Sequence, residues 1–177
     1  AAPADIVPSF VEEAAAAAKV KCRVAVAVFA GLKRQGVENG KPAVDLAQKI
    51  AASKHIQLEG FMAYSGTASH TKGWAARRKQ SADDLAGVQE TVALAKKAGL
   101  PVNIISGGST GTYNMDKELG LTELECGSYV FMDSIYRQVG GKTDDQTYTD
   151  FESSLSILVT VDSKRHAGQV TTDYGNK

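Results

Sequence analysis

Residues 104–113 read Ile104-Ile105-Ser106-Gly107-Gly108-Ser109-Thr110-Gly111-Thr112-Tyr113, and the rest of the chain is organised around them. An apolar strand, predicted from Val102 to Ile105, runs into a turn of three glycines and several hydroxyl residues. Glycine permits positive φ angles and lets a ligand approach the backbone closely, because it has no Cβ. Successive N–H groups in such a turn can converge on one anion, and hydroxyls add donors. The stretch is neither a P-loop nor a GxGxxG motif. It predicts a phosphate site, and the alternative is a strand-to-helix turn with no ligand.

A second glycine-hydroxyl stretch follows in residues 121–133, Leu-Thr-Glu-Leu-Glu-Cys-Gly-Ser-Tyr-Val-Phe-Met-Asp. This stretch predicts another strand with Gly127, Ser128 and Tyr129 inside it. A glycine within a strand often marks the close approach of a ligand or of another backbone. In barrels of alternating strands and helices, phosphates commonly bind between the loops after the last two strands. The two stretches together therefore predict one phosphate site.

The composition is that of an ordinary globular protein. The chain has 177 residues, of which 43% are hydrophobic, with 20 basic and 20 acidic residues. Zero net charge argues against nucleic acid or an anionic membrane surface as the main partner. No apolar run is long enough to span a membrane and no signal peptide is visible, so we expect a cytoplasmic protein. Cys22 and Cys126 are expected to be buried free thiols rather than a disulfide, which suits a reducing compartment.

The first third of the chain predicts a helix, a strand and a charged loop. Residues 5–18 form the helix, with Asp5 as its cap, and the alternating valines of residues 22–29 form the strand. Lys33 and Arg34 follow that strand, where an α/β barrel builds its site. The alternative for this pair is a solvated loop.

The middle of the chain continues the alternation. A helix opens at Gly40-Lys41-Pro42, and a strand over residues 56–64 runs into a loop of small residues. The basic segment from Lys72 to Gln80 is more typical of a solvated face than of a binding patch. The next helix is expected to begin at a Ser81 cap and to end at Gly99.

The last 40 residues differ in character from the rest. Residues 137–149 are polar and predict a loop or a domain boundary. Residues 155–161 and 169–174 predict a hairpin, a β element separate from the preceding units. Alternating strands and helices indicate a parallel sheet, but a closed eight-stranded barrel needs about 250 residues. The predicted fold class is therefore α/β: about four βα units of a TIM-type barrel, or else a small open sheet.

Several segments resemble the D-threonine aldolase and D-serine dehydratase-like family of pyridoxal phosphate (PLP) enzymes. The similarity lies in residues 107–113 and 121–133, and it extends to 30–37, 60–66, 159–163 and 173–177. The resemblance implies an alanine-racemase-like barrel followed by a C-terminal β domain. Residues 1–150 would be the second half of the barrel, and residues 151–177 the first hairpin of the β domain.

The resemblance also implies roles for particular residues. The PLP phosphate would be held by the two turns, at Gly107, Gly108, Ser109, Thr110, Gly127, Ser128 and Tyr129. Arg34 would face the pyridine nitrogen of the cofactor and, being always charged, would leave it unprotonated. Tyr64 would lie beside the cofactor, and His70 would line the substrate entrance. The implied substrates are D-3-hydroxy amino acids, the implied assembly is a homodimer, and a divalent metal would help to activate the β-hydroxyl.

The sequence departs from the family pattern in ways that affect catalysis. The family's Schiff-base lysine lies on the first barrel strand, and nothing here matches that segment, so no catalytic residue is assigned in this chain. The metal ligands of the family lie in the distal part of its β domain, past Lys177. Ser109 replaces a common glycine, Ser65 replaces a common histidine, and Ala27 stands where an acidic residue is frequent. The alternative function is therefore a non-catalytic phosphate- or PLP-binding module of the same fold.

Overall fold

A four-stranded parallel sheet forms the centre of the computed structural model, which describes residues 6–32 and 34–175. The Asp5 cap and Lys33 lie outside these residues. The strands are β1 (Cys22–Ala27), β2 (Ile56–Ala63), β3 (Ile104–Gly107) and β4 (Glu123–Leu124), and they are adjacent in that order. The helices are α1 (Ile6–Ala18), α2 (Lys41–Ala51), α3 (Trp74–Lys97), α4 (Tyr113–Asp116) and α5 (Ser134–Arg137). The predicted α/β class and parallel pairing are confirmed.

The main core lies between one face of the sheet and the helices. In β1 the alternation of side chains places Val24 and Val26 on this face, where Val26 is buried with Leu85 of α3. The opposite face carries polar side chains. Arg23 Nε donates to Glu59 at 2.8 Å on this face, and Ser106 Oγ donates to Glu125 Oε1 at 2.8 Å.

Helix α3 differs from the prediction at its N-terminal end. It begins at Trp74 rather than at Ser81, so Ser81 is an interior residue whose hydroxyl donates to the buried Asp116. The prediction of a solvated basic face is wrong for Arg77, which is buried. It holds for Arg78, which forms a surface ion pair with Glu118. The inward face of this first part of the helix is polar, and a search for apolar periodicity therefore does not detect it.

The predicted strand over residues 121–133 is also wrong beyond its first part. Only Glu123 and Leu124 pair with β3, and Gly127 precedes a 3₁₀ turn over Ser128–Val130. Asp133 then caps α5 by accepting hydrogen bonds from the backbone nitrogens of Ile135 and Tyr136, both at 2.8 Å. An aspartate cap fixes a helix start at this point and ends any extended run.

The C-terminal segment forms a second, smaller core before its hairpin. Met132, Tyr136, Val139 and Tyr148 are buried together, so the polar segment 137–149 is a loop that packs against the sheet end. Strands β5 (Val161–Ser163) and β6 (Thr171–Thr172) pair antiparallel, as a hairpin requires. The first strand begins where the predicted 155–161 strand was to end, since residues 155–160 form no strand, and the second is shorter than the predicted 169–174. The division of the chain near residue 150 remains a prediction.

No helix within residues 6–32 and 34–175 is long and apolar enough to cross a membrane. Cys22 and Cys126 are free, as predicted, although both are partly rather than fully buried.

Candidate functional site: two glycine turns at one sheet edge

The two glycine turns lie at the same end of the sheet and contact each other. Strands β3 and β4 are parallel neighbours, so the residues that follow them lie at the same end of the sheet. The Tyr129 backbone nitrogen donates to Thr110 Oγ1 at 3.0 Å, and Glu125 N donates to Gly107 O at 2.7 Å. The sequence placed the turns at neighbouring strand ends, and in the structure a direct hydrogen bond joins them.

Some N–H groups of the turns are used within the protein, while others are not. Ser109 N donates to Thr112 Oγ1 at 3.0 Å, and Gly111 N donates to Ser109 Oγ at 3.2 Å. Four other backbone nitrogens have no hydrogen-bond acceptor among residues 6–32 and 34–175, those of Gly108, Thr110, Gly127 and Ser128. Free N–H groups on neighbouring turns are the donors that an anion needs.

The carbonyls of the first turn are held by donors from the protein. Thr110 O accepts from the Tyr148 hydroxyl at 2.6 Å, and Gly111 O accepts from Arg77 Nε at 2.7 Å. Because these negative dipole ends are paired internally, the remaining N–H groups give the turn an electropositive character. Sequence analysis missed both Arg77 and Tyr148. The only local signal for Tyr148 is an aromatic residue within a polar segment.

Glycine is required at two positions of the turn by space as well as by conformation. Gly108 has φ of 71°, and a Cβ there would lie 2.9 Å from Asp116 Oδ2. A Cβ on Gly111 would lie 2.2 Å from the Ser69 carbonyl oxygen. The turn is thus packed tightly between α4 and the loop that follows β2.

Asp116 is a buried carboxyl group behind the turn. It accepts hydrogen bonds from the Ser81 and Thr112 hydroxyls, and burial raises its pKa above the ordinary value. Burial is the dominant cause, while the two hydroxyl contacts act in the opposite direction. A carboxyl group that holds its proton more readily is better tolerated beside an anion than a permanently charged one.

Arg34 and Tyr64 lie together at the same end of the sheet. They follow β1 and β2, and the Arg34 guanidinium carbon lies 5.0 Å from the centre of the Tyr64 ring. The Tyr64 hydroxyl lies 3.5 Å from Ser69 Oγ, and the Ser69 carbonyl packs against Gly111. A short chain of contacts therefore links this pair to the first glycine turn. Arg34 is exposed, so the solvated-loop alternative remains compatible with its position.

His70 approaches the two turns through Tyr136. The two rings have centroids 4.5 Å apart, with His70 exposed and Tyr136 buried. Burial raises the pKa of the Tyr136 phenol, and hydrogen bonding from Ser128 and Ser109 acts in the opposite direction. The Tyr136 hydroxyl thus faces one serine from each turn. The structure describes all the residues predicted for the site, and they lie together at the C-terminal end of the strands.

Comparisons with known proteins agree with this architecture. The family model for the N-terminal domain of alanine racemase matches residues 9–135. A 3-hydroxy-D-aspartate aldolase of Paracoccus denitrificans (strain Pd 1222) is 32% identical over 179 residues, which is 98% of this chain and 46% of the aldolase. A D-threonine aldolase of Arthrobacter sp. is 31% identical over 170 residues, covering 96% of this chain and 44% of that enzyme.

Solved structures show the same similarity. The crystal structure of D-threonine aldolase from Filomicrobium marinum superposes with a TM-score of 0.80 at 30% identity, covering 93% of this chain and 43% of that one. An alanine racemase of Clostridium difficile 630 superposes with a TM-score of 0.59 at 18% identity, over 83% of this chain and 35% of the racemase, and shares the fold alone. The chain spans less than half the length of each of these relatives.

Proposed function

Because this chain belongs to the alanine racemase N-terminal domain family, we propose that the protein carrying it is a PLP-dependent lyase of D-3-hydroxy amino acids. The observation that carries the proposal is the hydrogen bond between Tyr129 N and Thr110 Oγ1, which joins two turns rich in free N–H groups. Relatives named as aldolases of 3-hydroxy-D-aspartate and D-threonine support the substrate class.

The residues of the two turns fit a phosphate group in their chemistry. The backbone nitrogens of Gly108, Thr110, Gly127 and Ser128 have no acceptor in the described part of the chain, and glycine at 108 permits the positive φ angle of the turn. In the proposed site these groups bind the phosphate, while Gly107, Ser109 and Tyr129 maintain the shape of the two turns. A phosphate dianion only accepts hydrogen bonds, so a site made of N–H donors with paired carbonyls suits it.

The Arg34–Tyr64 pair is proposed to contact the ring of the cofactor. When bound, PLP supplies an electron sink that stabilises negative charge on the substrate Cα as the Cα–Cβ bond breaks. A guanidinium opposite the pyridine nitrogen keeps that nitrogen unprotonated, because arginine remains charged at all relevant pH values. Tyr64 holds Arg34 through its ring face, and His70 is proposed to line the substrate entrance.

The finer parts of the proposal depend on residues that this chain does not supply. A divalent metal is proposed for the complete protein, but residues 6–32 and 34–175 contain no group of three or more His, Cys, Asp or Glu side chains arranged to bind one. The described residues therefore do not fit a metal site. We also propose that the complete protein is a homodimer, which light scattering would measure.

The decisive experiment offers D-threonine, 3-hydroxy-D-aspartate and D-serine to the complete purified protein with PLP and a divalent metal ion. Aldol cleavage releases glycine together with acetaldehyde from the first substrate and glyoxylate from the second, whereas dehydration releases ammonia and a 2-oxo acid. We expect cleavage of the D isomers, with the L isomers as controls. Tight PLP binding without turnover of any D isomer would instead favour the non-catalytic module. Failure to bind PLP would refute the lyase and the PLP-binding module. It would leave only a phosphate-binding module, which titration with inorganic phosphate would test.

A further inference from the structure

Arg77 is buried directly behind the first glycine turn. Its side chain is 0% exposed, and its guanidinium donates four hydrogen bonds, all to backbone carbonyls. The acceptors are Gly111 O at 2.7 Å, Thr71 O at 3.0 Å, Val139 O at 2.7 Å and Gly140 O at 2.7 Å. One side chain therefore joins the glycine turn to the loop after β2 and to the segment after α5.

The charge of this guanidinium has no direct counter-ion. Within residues 6–32 and 34–175, no carboxylate oxygen lies at ion-pair distance from it. Burial lowers the pKa of Arg77, and electrostatic interactions with Tyr148, Asp145 and Asp150 act in the opposite direction. A buried charge is costly unless it is paired, and carbonyl dipoles offset only part of that cost. The arrangement therefore favours an additional negative charge nearby.

The orientation of the turn shows where that charge would bind. Arg77 and Tyr148 hold the carbonyls of Gly111 and Thr110, and the N–H groups of Gly108 and Thr110 have no acceptor in the part of the chain described. We propose that Arg77 is a positioning residue for anion binding, which orients the glycine turn through the Gly111 carbonyl and balances the charge of the anion bound there. This inference rests on the proposed phosphate site and extends it to a residue that acts through the main chain.

The test compares PLP with pyridoxal, which has the same ring but no phosphate. Affinities are measured on the complete protein and on Arg77→Lys and Arg77→Met. Lysine keeps the charge but not the four-carbonyl geometry, while methionine keeps only the approximate length. We expect PLP affinity to fall about 10-fold or more in Arg77→Lys and further in Arg77→Met, with pyridoxal affinity changed less than about twofold. Arg78→Met, one residue along the same helix, is the matched control and should preserve the preference for PLP.

The possible outcomes distinguish failure of the proposed phosphate site from failure of the proposed role of Arg77. An unsubstituted protein that binds PLP no better than pyridoxal refutes the proposed phosphate site, and this inference with it. A clear preference for PLP that persists in both Arg77 variants leaves the proposed function intact and refutes the role of Arg77. Equal losses of PLP and pyridoxal affinity would also refute it, because they indicate a general loss of structure.

Hydrogen exchange on the unsubstituted protein decides the question if the Arg77 variants do not fold. The Gly73 amide donates to Val139 O at 2.9 Å, and the Gly141 amide donates to Asp144 O at 2.6 Å, so both report on the segments that Arg77 clamps. Saturating inorganic phosphate should slow exchange at both amides and leave the Ala52 amide of the α2 C-cap unchanged. Binding of phosphate without protection of Gly73 and Gly141 would refute the coupling.

Discussion

The Tyr129 backbone nitrogen donates a hydrogen bond of 3.0 Å to Thr110 Oγ1, although the two residues belong to different turns. This contact ties Tyr129 of the second turn to the first turn through one hydroxyl group, beyond the backbone hydrogen bond from Glu125 N to Gly107 O. Thr110 is 1% exposed, while Tyr129 is 45% exposed, so the hydrogen bond anchors a surface turn to a buried one. Any ligand held by both turns depends on this anchor.

The first prediction concerns that hydroxyl. Thr110→Val keeps the shape of the side chain and removes the acceptor, so the Tyr129 amide is no longer held against the first turn. We expect PLP affinity of the complete protein to fall about fivefold to tenfold, measured by titration calorimetry.

The control for this variant is Thr122→Val. Thr122 Oγ1 accepts a hydrogen bond of 2.8 Å from Ile105 N, which is the same kind of contact at the other end of β3. Its loss should leave PLP affinity unchanged. Similar losses of PLP affinity in both variants would mean that stability, rather than the geometry of the turns, determines binding.

The second prediction concerns Arg34, whose guanidinium carbon lies 5.0 Å from the Tyr64 ring centre. In the PLP-bound complete protein, Arg34→Glu places a carboxylate where a permanent cation stood, and a carboxylate favours protonation of the pyridine nitrogen. We expect the visible absorption band of the cofactor to shift. Arg78→Glu is the control, because Arg78 is paired with Glu118 at the surface, whereas Arg77 is buried and unsuitable. Unchanged spectra in both variants would favour the alternative that Arg34 belongs to a solvated loop and does not contact the cofactor.

The third prediction tests the support of the first turn by Tyr148. Its hydroxyl donates to Thr110 O at 2.6 Å, and its side chain is 1% exposed. Tyr148→Phe leaves a buried carbonyl without this donor, and we expect the free energy of unfolding to fall by about 1–2 kcal/mol in urea titrations. Tyr174→Phe, at a residue that is 60% exposed, should have no measurable effect. An unchanged free energy of unfolding in Tyr148→Phe would show that water replaces the lost donor.

The sequence predicted best those elements whose pattern is local. Strand β2 was expected over 56–64 and is found at Ile56–Ala63, because its apolar residues and flanking turns are sufficient to identify it. The sequence also predicted that both glycine turns lie at one end of the sheet, since neighbouring parallel strands end on the same side.

The first part of α3 and the support of the turn could not be predicted in this way. Arg77 faces inward because its guanidinium donates to backbone carbonyls, among them those of Val139 and Gly140. Ser81 faces inward because its hydroxyl donates to Asp116, which lies 35 residues further along the chain. Tyr148 is 38 residues from its acceptor Thr110. Polar contacts over such distances leave no periodic signal, so the sequence pattern predicts a solvated face at Arg77 and a helix cap at Ser81.

The fourth prediction concerns acid stability. The Arg23 side chain, together with Asn103 and Gln57, lowers the pKa of Glu59 from 4.5 to about 2. A lowered carboxyl pKa contributes stability above the unfolded-state value, and this contribution is lost as pH falls through the folded-state value. Stability should therefore decline between about pH 4.5 and pH 2, and Glu59→Gln should flatten the decline in urea titrations. Glu118→Gln, on the surface, should leave the curve unchanged. Superimposable curves for Glu59→Gln and the unsubstituted protein would exclude this linkage.

The last prediction concerns the 177-residue polypeptide made by itself. Among the described residues, β1 and β4 are the edge strands of its sheet, and large apolar side chains such as Leu158, which is 100% exposed, lie at the surface. Unpaired edges and exposed apolar side chains promote association, so light scattering should show oligomers or aggregates. Such a chain should also lack a defined Schiff-base position, since none of its fourteen lysines matches the family's first-strand segment. After addition of PLP, borohydride reduction and peptide mapping, we expect scattered labelling below one equivalent. Stoichiometric labelling of a single lysine in a monomer that cleaves D-threonine would show instead that these residues form a complete enzyme.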